Sequence, residues 1–90
     1  MSRYNVVANN KTYTYGYDAC VPEYFLMSVT PKGRRKFLVG GMSALMGTGG
    51  NLLQELKRNK LLGIVNPDHI TLAACDLPIP PETPEVKNKT

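Results

Sequence analysis

The chain has 90 residues, 42% hydrophobic and 20% charged, with no Trp and only two Phe. That is one small domain, whose folding buries about 60–65% of its unfolded surface and leaves little volume for a deep, water-free catalytic cleft. Its net charge of +4 equals the sum of Lys32, Arg34, Arg35 and Lys36, so the basic character is local.

Residues 3–8 and 11–17 predict a β-hairpin closed by Asn9-Asn10, because Asn tolerates the positive φ that a two-residue type I′ turn requires. That turn sets Ala8 against Lys11, Val6 against Tyr13 and Tyr4 against Tyr15. Tyr4, Val6, Ala8, Tyr13 and Tyr15 then share one apolar side, and Asn5, Val7, Thr12 and Thr14 share the other. The tyrosine stripe could stack nucleic-acid bases, but its register opposite Val6 assigns it to the core. Gly16 interrupts the second strand and is expected to mark a bulge or bend.

After a corner at residues 18–22, a second hairpin is predicted from strands at 23–30 and 35–40, closed across Pro31-Lys32-Gly33-Arg34. Regular counting pairs Thr30 with Arg35, Ser28 with Phe37 and Leu26 with Val39. Phe25, Met27 and Val29 point one way, and Tyr24, Leu26 and Ser28 the other. Apolar residues on both faces suit a strand packed on each side, or a surface kept for a partner.

Residues 40–50 hold five glycines. A phosphate-binding P-loop would need Lys and Ser or Thr after the last Gly, and Asn51 follows instead. The expectation is a flexible connection, with Met42, Leu45 and Met46 pinning it to the core. Asn51, with Gln54 completing a capping box, predicts a helix over 51–60 that buries Leu52, Leu53 and Leu56, turns Glu55 to water and stops near Gly63. Asn66-Pro67-Asp68 reads as a second helix start. Residues 69–77 alternate like a strand at Ile70, Leu72 and Ala74, and fit a short helix at Ile70, Ala73, Ala74 and Leu77; the cap favours the helix.

These elements make an α+β domain over residues 1–77, a four-stranded antiparallel sheet with one or two helices on one face. Residues 78–90 are proline-rich with little to bury, and are expected to be an extended or disordered tail. No secretory signal or run of about 18 apolar residues is visible, and two cysteines make no disulfide framework. The expected compartment is the cytoplasm, with free, buried thiols and no membrane partner.

The segments Tyr15-Gly16-Tyr17-Asp18, Tyr24-Phe25 and Asp76-Leu77-Pro78-Ile79 together resemble small uncharacterised bacterial proteins associated with mobile genetic elements. The resemblance implies a compact accessory protein and carries across no site residue.

Candidate chemistry is sparse. Cysteine nucleophile catalysis could pair Cys20 or Cys75 with His69, but nothing in the spacing organises an oxyanion site. Asp18, Cys20, Asp68, His69, Cys75 and Asp76 show no metal-ligand spacing. The reading is of a non-enzymatic adaptor or inhibitor without cofactor that occupies the surface of a partner protein, acidic in one version or a second copy in another. Its candidate contact residues are Lys32, Arg34, Arg35 and Lys36 at the hairpin tip, with Met42 and Met46 as adaptable apolar contacts. The alternative is phosphate-backbone binding of nucleic acid through the same tip, aided by Lys57, Arg58 and Lys60. A cysteine-dependent enzyme is the third reading.

Overall fold

The computed structural model describes residues 2–41, 43 and 45–81. Strands β1 (Tyr4–Ala8), β2 (Lys11–Asp18), β3 (Glu23–Val29) and β4 (Arg35–Val39) form an antiparallel sheet in that order, followed by helices α1 (Gly49–Arg58) and α2 (Pro67–Ala74). The fold is the four-stranded antiparallel α+β domain that the alternation predicts, and the strands follow one another in meander order. Asn9 and Asn10 take φ of 52° and 64°, and the type I′ turn sets Tyr4 opposite Tyr15, Val6 opposite Tyr13 and Ala8 opposite Lys11.

One face of the sheet carries the core. Tyr13, Tyr15, Tyr24, Leu26 and Val39 pack with Leu52 and Leu56 of α1, Leu61 and Val65 of the connection, and Ala73 of α2. The tyrosine stripe therefore faces the helices and not open solvent. Leu53, expected in the core, is only half-buried.

Helix α1 begins two residues earlier than its sequence suggests. Thr48 is the N-cap, its Oγ1 accepting the Asn51 N–H at 3.1 Å. Asn51 lies inside the first turn and its side chain donates to the Met46 carbonyl at 2.9 Å. The helix stops well before Gly63. Lys60 takes the left-handed conformation at φ 60°, the Leu61 N–H returns to the Leu56 carbonyl at 2.8 Å, and the Lys60 N–H to that of Lys57 at 3.0 Å. This paired ending places two buried leucines in contact across the cap, which offsets the cost of a non-glycine residue there. Glu55 does not face water: it is 6% exposed and ion-paired with Arg58 at 3.4 Å.

Helix α2 starts as the cap signal dictates, with Asn66 Oδ1 accepting the Asp68 N–H at 2.9 Å and Pro67 in the first turn. Past residue 77 the chain runs without regular structure, yet Ile79 is 2% exposed and joins the core. The Tyr24 hydroxyl donates to the Leu77 carbonyl, and that of Tyr4 to the Pro80 carbonyl. The beginning of the proline-rich segment thus has something to bury; residues 82–90 lie outside the described residues.

The glycines serve close packing. A Cβ on Gly16 would fall 2.1 Å from the Ser2 carbonyl oxygen, and one on Gly49 2.1 Å from that of Ala73. Gly16 pairs regularly with Phe25 and makes no bulge. The connection after β4 is tied to the sheet through Tyr24 N–H to Gly47 O at 2.8 Å and Gly40 N–H to Leu45 O at 3.0 Å. Leu45 and Met46, expected to pin it through the core, are exposed. Among the described residues no helix is long and apolar enough to cross a membrane.

Candidate docking surface on the open sheet face

Alternation along β3 sends Tyr24, Leu26 and Ser28 to the helices, leaving Phe25, Met27 and Val29 on the opposite face. Among the described residues no helix or strand packs there. A shallow groove of about 580 Å³ runs across that face, its floor formed by these three residues with Thr12, Thr14 and Phe37. Phe25 is nearly covered, at 7% exposure, because its ring lies over Gly16. Phe37 remains 36% exposed.

Phe37 reaches this face through a register shift that strict alternation misses. Leu26 pairs with Val39, whereas Met27 pairs with Phe37 and Ser28 with Lys36, so Leu38 is the extra residue of a β-bulge. The regular pairing of Ser28 with Phe37 is thereby corrected. The bulge lets Leu38 and Val39 both pack on the core, which regular pleating forbids for neighbours. The sequence signal is the apolar triplet Phe37-Leu38-Val39, too many apolar residues in a row for one buried face.

Charge is graded along the groove. Asp18 and Glu23 stand at the end where β2 and β3 meet, and Arg35 lines the other end opposite Val29. Arg3 lies level with Gly16, between the acidic end and the middle. Glu23 Oε2 accepts the Gly41 N–H at 3.2 Å, and Asp18 Oδ1 that of Cys20 at 3.0 Å. Thr14 donates to Asn5 Oδ1 at 2.7 Å, so this hydroxyl is satisfied within the protein. A covering surface need not supply its partner.

The predicted contact residues separate into two places. Lys32, Arg34, Arg35 and Lys36 stay together at the β3–β4 turn, all exposed and none ion-paired among the described residues. Met46 is 74% exposed but sits beside Gly47, which is bonded to Tyr24. Six residues of β3 separate that position from Thr30 at the tip, about 20 Å at strand rise. Met42 lies outside the described residues. Phe25, Met27, Val29 and Phe37 were not assigned as contact residues from sequence, because nothing local says which face of β3 the helices cover.

Elsewhere the groups with chemical potential are dispersed. Cys20 and Cys75 are both exposed, the reverse of the buried thiols expected. His69 is 7% exposed beneath Tyr4, ring centres 4.3 Å apart, with Nδ1 2.6 Å from the Tyr15 hydroxyl. Burial raises the Tyr15 phenol to about 12, opposed by the backbone N–H of Asn66 and aided by Tyr4. Burial lowers His69 below its usual value, opposed by Asp68. Both shifts favour the neutral forms, an arrangement that suits a core clamp between sheet and helix. Among the described residues no group of three His, Cys, Asp or Glu side chains could hold a metal ion.

No protein-family model, no curated protein and no solved structure matches this chain.

Proposed function

We propose that the chain is a small non-enzymatic binding module whose open sheet face docks on the surface of a protein, with the basic tip steering the approach to acidic ground. One observation carries the reading: Phe25, Met27, Val29 and Phe37 lie on a face that no described element covers, while both helices pack on the other side. A monomeric antiparallel sheet ordinarily turns a polar side to water. Here the side that should be polar has an apolar stripe with charges at its rim, the make-up of a protein–protein contact. An accessory role in a mobile element, as the resemblance implies, would suit such a module.

The test places a photo-crosslinking phenylalanine analogue at position 37 and, as a control, at Lys57 on the exposed side of α1, in source cells. A defined protein adduct at 37 and not at 57 is expected. Equal labelling at both positions, or none at 37, would sink the reading.

A second reading is favoured by the four cations at the tip, none of them ion-paired among the described residues: contact with nucleic-acid phosphates. Its mark is salt dependence, with a slope of about −0.9 for each phosphate neutralised on duplex DNA. Lys32→Glu with Arg34→Glu is then expected to abolish binding to a duplex at low salt. A filter-binding titration in which the variant matches the parent would end this reading.

A further inference from the structure

The geometry points to a second copy of this chain as the occupant of the open face, packed sheet to sheet with the strands of the two copies antiparallel. This rests on the reading of that face as a docking surface and names what fills it.

The first support is self-complementarity of charge. Glu23 lies on β3 at one end of the groove, and Arg35 lies on the neighbouring β4 at the other, opposite Val29. A two-fold axis running across the strands, level with Leu26, keeps each strand over its own copy and reverses the direction along it. Residues 23 and 29 of β3 are equidistant from that level. Glu23 of one copy therefore stands over the Val29–Arg35 pair of the other, and the same contact repeats by symmetry. An axis parallel to the strands would instead set acidic end over acidic end and bring the Arg35 end of each copy over the Arg35 end of the other. Like-charge juxtaposition of that kind selects against the wrong arrangement.

Packing agrees with charge. The same axis places Phe25 of one copy over Met27 of the other, a ring against a flexible thioether that fills irregular gaps well. Phe37, level with Met27, extends the apolar contact to β4. Two sheets facing each other in this way form a β-sandwich, with inner faces about 10 Å apart and strand directions within about 30°.

Area sets the strength. Four strands about 4.8 Å apart and six residues of about 3.3 Å rise give a face roughly 20 Å square. Two such faces bury on the order of 1,000 Å² with their rims, the lower edge of specific interfaces. An interface at that lower edge suits a reversible dimer.

Sedimentation velocity on the full chain from about 1 to 500 μM, which spans weak reversible association, tests the proposal. A concentration-dependent shift from monomer to dimer is expected, and Phe37→Asp is expected to weaken association at least about tenfold. Far-UV circular dichroism and thermal melting check that the variant is folded; Val29→Asp serves in its place if it is not. Arg35→Glu and Glu23→Lys singly are each expected to weaken association about five- to tenfold at low salt, and the double exchange to restore it. A folded chain that stays monomeric throughout overturns the proposal. So does a dimer indifferent to both apolar substitutions, while single reversals without effect overturn the antiparallel arrangement. A monomeric chain that still gives a heterologous adduct at position 37 would leave the docking face standing and remove only the second copy as its occupant.

Discussion

The Tyr15 hydroxyl lies 2.6 Å from His69 Nδ1, joining the second strand to the second helix across 54 positions of sequence. In the tautomer that carries its proton at Nε2, the neutral imidazole accepts the phenol proton at Nδ1. Burial favours the neutral imidazole.

The pH dependence follows with a definite sign. The folded His69 binds its proton less readily than the unfolded chain does. Its contribution is therefore fully present above the unfolded value of about 6.5 and is lost as pH falls from there through the folded value. Tyr15 acts at the other end: with its phenol raised to about 12, stability is full below about pH 10 and declines as pH rises to 12. Tyr15→Phe is expected to reduce the alkaline loss, part of which remains because burial raises the Tyr24 phenol as well, and His69→Gln to remove the acidic one, each beside the loss of a buried hydrogen bond of about 1–3 kcal/mol. Urea unfolding from pH 5 to 11 reads both. Curves for parent and His69→Gln that run parallel below about pH 6.5 would show that His69 does not titrate differently on folding.

Two neighbouring glycines are expected to respond in opposite directions. A Cβ on Gly49 meets the Ala73 carbonyl at 2.1 Å, whereas one on Gly50 meets nothing within 4 Å. Gly49→Ala must push α1 away from α2, at a cost of about 1–3 kcal/mol. Gly50→Ala gains up to about 1 kcal/mol from helix propensity. Melting temperatures that shift the same way would contradict the packing of the two helices.

Ile79 is expected to anchor the chain after α2. Its side chain is 2% exposed, and Ile79→Ala is predicted to lose about 2–4 kcal/mol in denaturant unfolding. Truncation after residue 81 keeps every described contact and is predicted to cost far less. A stable protein lacking residues 78–90 would contradict this anchoring.

Both thiols are open to solvent, so neither Cys20→Ser nor Cys75→Ser is expected to change stability by more than about 0.5 kcal/mol. Both are expected to react with a maleimide in the native protein. Protection of either until unfolding would place that thiol inside the fold.

The sequence by itself determined whatever a few neighbouring residues settle. Asn9-Asn10 dictates the first turn and hence the pairing of Tyr4 with Tyr15, Asn66-Pro67 starts α2, and the crowding of Lys32, Arg34, Arg35 and Lys36 at a turn guarantees a charged tip. Each is a short-range steric or hydrogen-bond preference that no distant contact opposes. Only the tertiary structure decided which face of β3 is covered, because that strand is apolar on both. The side bearing Tyr13, Tyr15, Tyr24, Leu26 and Val39 is apolar from β2 to β4, while the other is apolar mainly along β3 and β4. The helices bury more surface on the first, so the second stays open. The inward turn of Glu55, the anchoring of Ile79 and the burial of His69 follow from that choice. Each depends on residues brought together from far along the chain, and no local spacing announces them, whereas the bulge at Leu38 left a trace in the apolar triplet Phe37-Leu38-Val39.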